Sequence, residues 1–219
     1  MAVISLAAQH QKAKAKFGDD YNFAGGDGVH PGPNGHLVMA YAFLKAMGCD
    51  GNIGTITVDA GLNKATATDG HEVVSCADGT VTVKSTRYPF CFTGEPKDPQ
   101  ATLNVIQYFP FNDDLNRYLL VVKGLTAAKA KVTWGSTTKE FTADQLAKGI
   151  NVAAEFAGDN PFSAPFQKVQ DAIVAQQTQE TYLGKEWLAG MRDMRASLPG
   201  QDAVLDAIML HVDAKRYLL

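Results

Sequence analysis

Apolar residues recur along this chain at two different periods, and the change from one to the other divides it into parts. Residues 3 to 16 carry Val3, Ile4, Leu6, Ala7 and Ala8 without a glycine or proline, then turn basic at Lys12, Lys14 and Lys16. That order predicts a helix whose negative C-terminal end meets positive charge, with Gly18 closing it. The stretch Asn22-Phe-Ala-Gly-Gly-Asp-Gly-Val-His-Pro-Gly-Pro-Asn-Gly is too rich in glycine and proline for regular structure and reads as a loop. From His36 to Met47 the chain is helix-favouring and apolar on nearly every side. It predicts a buried helix, with Asn34 as N-cap and Gly48 as stop.

From Asn52 the period falls to two. Ile53-Gly-Thr-Ile-Thr-Val, Lys64-Ala-Thr-Ala-Thr, Glu72-Val-Val-Ser-Cys and Thr80-Val-Thr-Val-Lys-Ser-Thr are short β-branched alternations separated by glycine turns, which predicts strands. Residues 93 to 114, with Gly94, Pro96, Pro99, Pro110 and Asn112-Asp-Asp, read as an excursion or loop. Arg117-Tyr-Leu-Leu-Val-Val-Lys, Ala130-Lys-Val-Thr-Trp and Thr138-Lys-Glu-Phe then predict three more strands.

Helical spacing returns at Thr142-Ala-Asp-Gln, a capping box whose helix is expected to run towards Phe156. Beyond Pro165 the apolar positions Phe166, Val169 and Ile173, then Leu183, Trp187, Met191, Met194 and Leu198, predict helix on either side of a polar interval at 176 to 180. Pro199-Gly200 breaks the chain before a last amphipathic helix carrying Leu205, Ile208, Met209 and Val212. The expected class is α+β: N-terminal helices around a loop (1–48), a β-rich, small sandwich-like middle (49–142) and a helical C-terminal region (143–219).

The chain's 219 residues carry 20 Lys and Arg against 23 Asp and Glu, a formal net charge of -3. No global field gathers phosphates, so nucleic acid is not an expected partner, and no segment reads as a membrane span. Three cysteines, Cys49, Cys76 and Cys91, have no close pair; they read as buried thiols, or as one bridge and one free thiol, and do not decide the compartment. The first residues lack the basic start and small-residue cleavage site of a signal peptide and read as helix. The alternative is that the natural protein extends upstream of Met1.

Asp27-Gly28-Val29-His30-Pro31 is the constellation with chemical content. A carboxylate three residues before an imidazole in a glycine-rich loop can turn back to accept from one ring nitrogen, leaving the other free as a general base. Pro31 restricts the backbone of His30 to extended conformations. Asp27, His30 and His36 would alternatively make a three-ligand metal site, though without the i, i+4 spacing of zinc helices. The aromatic runs Tyr88-Pro-Phe-Cys-Phe and Tyr108-Phe-Pro-Phe111 read as core packing of the β region rather than as a sugar-stacking surface.

The longer string Asp27-Gly-Val-His-Pro-Gly-Pro-Asn-Gly-His36, running into an apolar helix, resembles the last block of the SGNH (GDSL-type) serine hydrolases. The segments 50–59, 85–90, 115–118 and 141–162 resemble the long C-terminal region of some bacterial members. The resemblance implies ester hydrolysis through an acyl-enzyme without a cofactor, with Asp27 as the orienting acid and His30 as the base. Its substrates are short acyl esters, including acylated carbohydrates, and family members are often periplasmic or secreted.

The family's Gly-Asp-Ser block and its oxyanion glycine and asparagine do not precede Asp27 in this sequence, and no Gly-x-Ser-x-Gly elbow occurs. On this resemblance the chain is expected to be the tail of such an enzyme. Three completions stand open: a serine from another chain or a removed N-terminal part; Ser75, Cys76, Ser85 or Cys91 of this chain brought to His30; or no activity. The competing reading is a non-catalytic binding or oligomerisation module. An enzyme tail exposes apolar surface, so self-association as a homo-oligomer is expected.

Overall fold

A computed structural model describes residues 2–95 and 97–216, with side chains for 7–95 and 97–212. The side chains of Val3, Ile4 and Leu6, and Pro96 of the expected loop, lie outside the described residues. The class is α+β, as the two hydrophobic periods predict. Chain contacts separate two compact units, one reaching to Phe166 and the other beginning at Gln167.

In the first unit, α1 (Ala2–Phe17) ends at Gly18, whose φ of 101° turns the chain and whose N–H donates to the Lys14 carbonyl. Ala13 is fully buried against Tyr21 and Tyr108. The second helix, α2 (Pro33–Ala46), begins three residues earlier than the apolar run suggests, with proline in its first turn. Its cap is Gly32, not Asn34, and no side chain caps it. Asn34 is instead inside the first turn and wholly buried.

The expectation that α2 is buried all round is also corrected. Leu37, Val38 and Tyr41 enter a core with Phe92, Val105, Phe109 and Phe111, while Met39, Phe43 and Met47 face solvent, Phe43 at 64% exposure. An i, i+4, i+8 stripe needs a cover on one side only, and the loop 90–111 covers the other side. The loop itself contains two short helices, α3 (Thr102–Val105) and α4 (Phe111–Leu115). Tyr41 donates to Asp114 at 2.6 Å and Lys45 pairs with the same carboxylate, tying α2 to α4. Burial, then the Asp114 hydrogen bond, pushes the Tyr41 hydroxyl up to about 12.

The β region holds three small sheets. β1 (Asn52–Asp59), β2 (Lys64–Ala67), β5 (Arg117–Lys123) and β8 (Ile150–Asn151) form one sheet in the order β2-β1-β5-β8. β1 and β5 are parallel, with Ile56 beside Leu120, and the other pairs are antiparallel. A parallel pair needs a long crossover, and here residues 60 to 116 supply it. The hairpins β3 (His71–Ala77) with β4 (Thr80–Ser85), and β6 (Lys129–Trp134) with β7 (Thr137–Thr142), form the other two sheets.

The capping box forms as read: Thr142 Oγ1 accepts from the Gln145 N–H and Gln145 Oε1 from the Thr142 N–H. Its helix, α5 (Ala143–Lys148), stops well short of Phe156, because Gly149 turns out at a φ of 97° into β8 and the short α6 (Val152–Glu155). Leu146, Ile150, Val152 and Phe156 then meet Ile56, Tyr118 and Phe141 in the second core. Leu37, Val38 and Tyr41 of α2 share a core with Phe92, Phe109 and Phe111, and Ala13 of α1 packs on Tyr108, so both N-terminal helices pack on the middle of the chain within the first unit.

The second unit is helical. α7 (Ser163–Thr181) starts in the first unit and continues through the polar interval at 176–180. A π-type stretch at Tyr182–Leu188 leads into α8 (Ala189–Ser197), and α9 (Asp202–Arg216) follows the turn at Pro199-Gly200. Arg195 of α8 bonds Asp206 of α9. Among the described residues no helix is long and apolar enough to cross a membrane.

Candidate functional site

The loop between α1 and α2 brings Asp27 and His30 together. Asp27 Oδ1 accepts from the backbone N–H groups of Val29 and His30, each at 3.0 Å. This turn places the imidazole of His30 over the second carboxylate oxygen, with Nδ1 2.5 Å from Oδ2. An ionised carboxylate only accepts, so Nδ1 carries a proton, and in the neutral ring Nε2 is the nitrogen that acts as base. The His30 hydrogen bond, followed by the Val29 and His30 N–H groups, lowers the Asp27 carboxyl below its ordinary 3.8.

Two glycines give the loop its shape. Gly25 lies at a φ of 85°, and a Cβ there would meet the His30 carbonyl oxygen at 2.0 Å, so the backbone bearing the imidazole rests directly on Gly25. Gly35, in the first turn of α2, faces the Phe23 carbonyl, which a Cβ would meet at 1.8 Å. Asn34 holds the outer side: its amide donates to Tyr21 Oη at 2.9 Å and to the Pro99 carbonyl at 3.1 Å, and its own N–H donates to the Gln100 carbonyl. The loop is thus clamped between α1, α2 and residues 99–100.

Glycine content marks this loop in the sequence. The clamping role of Asn34 is not readable there, because its partners at 21 and 99 are distant along the chain.

The pair itself is open. The His30 side chain is 85% exposed and that of Asp27 52%. The other residues considered with it are elsewhere. Ser75 is exposed on β3, and Cys76 lies partly buried on the same strand. Cys91 lies beside Asn160, and its burial raises the thiol pKa against the lowering effect of the Asn160 hydrogen bond. Ser85 bonds His71, and none of the four hydrogen-bonds His30. All three cysteines are free; Cys49 is exposed rather than buried, and the alternative of one bridge is not realised.

Among the described residues no three His, Cys, Asp or Glu side chains group as a metal site, so His36 does not join Asp27 and His30. The aromatic runs pack as core apart from the exposed Tyr88, but against α1 and α2 and not within the β region as expected.

Lowering the pH tests the clamp. Because folding depresses the Asp27 pKa, its contribution to stability is fully present above 3.8 and is lost as pH falls through the lowered value. Asp114, lowered mainly by the Tyr41 hydrogen bond, acts in the same direction. Urea unfolding of Asp27→Asn against wild type should therefore show a stability difference that shrinks below this range, with the Asp114 share retained in both.

A scan against protein-family models finds no match, and a search of the curated proteins finds none either. A search of solved structures finds the chain similar to a gut microbial diltiazem-metabolizing enzyme, with a TM-score of 0.54 and 21% identity. The match covers 96% of this chain and 57% of that one. At this identity the likeness is one of fold, and the chain spans little more than half of the solved enzyme's length.

Proposed function

We propose that this chain carries the acid and base of an ester hydrolase of the SGNH/GDSL type. The observation that carries the reading is the Asp27–His30 pair: one carboxylate oxygen fixes the Nδ1–H tautomer while the other fixes the loop, and Nε2 stands open to solvent. His30 Nε2 takes the proton of the attacking hydroxyl and returns it to the leaving alcohol, and Asp27 stabilises the imidazolium formed between these steps. The overall reaction is acyl transfer to water, and it needs no cofactor.

The attacking hydroxyl is a serine presented to His30 by a further polypeptide segment, and the substrates are short acyl esters, including acyl groups on carbohydrate. Exposed Met39, Phe43 and Met47 on α2, with Val29 next to His30, supply apolar surface for such a segment or for a second copy.

With an activated ester, water replaces the serine and still reports on the base. With the candidate nucleophile Ser85 replaced by alanine in both chains, p-nitrophenyl acetate hydrolysis by Asp27→Ala should fall roughly tenfold relative to its parent, since the tautomer and the ring position are both released. Equal rates would remove the carboxylate from the mechanism. The second reading, a binding or oligomerisation module, is favoured by the exposed α2 stripe, and sedimentation of the purified chain measures it directly.

A further inference from the structure

A second group of side chains, in the β region and separate from the Asp27–His30 pair, has the connectivity of a nucleophile and its base. His71 and Ser85 face each other across the β3–β4 hairpin. His71 Nε2 lies 2.9 Å from the Ile53 carbonyl oxygen on β1, and its Nδ1 lies 2.9 Å from Ser85 Oγ. A carbonyl can only accept, so Nε2 carries the proton and Nδ1 must receive the Ser85 hydroxyl proton. The imidazole is held in the tautomer that makes it a base towards Ser85.

Two features keep the ring in place. It stacks on Tyr118 with centroids 5.0 Å apart, and it closes over Gly54, where a Cβ would lie 2.2 Å from Nε2. The Tyr118 hydroxyl is 3.4 Å from Ser85 Oγ, a loose contact that leaves its proton available to another acceptor beside the serine.

Ser85 and Tyr118 open into a cavity of about 690 Å³ whose wall is mainly apolar, including Val83, Leu120, Val122 and Trp134. That volume lies within the roughly 300–1,000 Å³ of small-molecule sites. A nucleophile, an oriented base, a hydroxyl donor and an apolar recess therefore converge.

We infer that Ser85 is an activated nucleophile, with His71 as its base, for small apolar carboxylic esters seated in this cavity. Ser85 Oγ bonds to the acyl carbon while its proton passes to His71 Nδ1, and Tyr118 donates to the carbonyl oxygen as it gains charge. The bond from acyl carbon to ester oxygen then breaks, and the departing alcohol takes the proton from His71. Water, deprotonated by the same nitrogen, releases the acid and restores the Ser85 hydroxyl.

The test is covalent labelling of the full chain with diisopropyl fluorophosphate, in which Ser85 Oγ displaces fluoride. Intact-mass and peptide measurements should place one adduct per chain on Ser85 and none in Ser85→Ala. Labelling should slow at least roughly tenfold in His71→Gln, with circular dichroism verifying its fold. His30→Ala should be labelled as wild type is, which separates this centre from the Asp27–His30 reading. An unlabelled wild-type chain, an adduct on another residue, or an unchanged rate in folded His71→Gln would overturn the inference.

Discussion

Gly35→Ala will detach the first turn of α2 from the loop that carries His30. The added Cβ would lie 1.8 Å from the Phe23 carbonyl oxygen and 2.7 Å from Pro31 Cβ. Phe23 is backbone and Pro31 is a ring, so neither can move aside as a flexible side chain would. Phe23 is also packed against Tyr21 and His10, and Asn34 next to Gly35 is wholly buried and bonded to Tyr21 and Pro99. Shifting the helix start would therefore break the Asn34 hydrogen bonds as well.

The expected cost is about 3 kcal/mol, the upper end of overpacking effects, read as a lower urea midpoint at unchanged slope. Ester hydrolysis should fall with it, because the carbonyl of His30 rests on Gly25 in the same loop. A variant as stable as wild type would show that the loop and helix are not in this contact.

The second large effect is Phe156→Ala in the core of the β region. Phe156 is 1% exposed, sits edge-on to Trp134 and contacts Phe141, and it ends α6. Its neighbours come from the β6–β7 hairpin and from β1 and β5 of the larger sheet. They cannot collapse together into the space left by a ring. A loss of about 3–5 kcal/mol is expected, against a total of ~5–15 for a typical domain. Thermal or urea unfolding followed through Trp134, with Trp187 replaced by phenylalanine, would read it. A loss under about 1 kcal/mol would mean that the hairpin does not depend on this ring.

Much of the fold is legible in local pattern. The alternations at 52–59, 64–67 and 129–134 and the apolar run at 117–123 become strands, the first because a half-buried sheet needs a period of two and the last as a continuous run in the middle of the sheet. The capping box at Thr142 forms because its two hydrogen bonds lie within four residues. What the pattern does not carry is pairing at long range. Nothing between 52 and 123 announces that β1 and β5 lie side by side and parallel, and the helix expected to reach Phe156 stops at Gly149 because Ile150 and Asn151 pair with Leu120 and Leu119.

The candidate site divides in the same way. Asp27 and His30 are readable because an Asx-type turn is local, whereas Asn34 reads as a cap and proves to be a buried clamp whose partners are 13 and 65 residues away. The His71–Ser85 pair was equally hidden: its geometry depends on the β3–β4 register and on Gly54 of a third strand.

The most direct measurement of the central claim is p-nitrophenyl acetate hydrolysis by the Ser85→Ala chain, compared with the same chain carrying His30→Ala in addition. Removing Ser85 in both leaves the Asp27–His30 pair as the difference between them. The account predicts hydrolysis above the buffer rate in the first and at least roughly tenfold less in the second. Equal rates in the two chains would contradict it, and the Asp27–His30 loop would then be a clamped turn without a catalytic role.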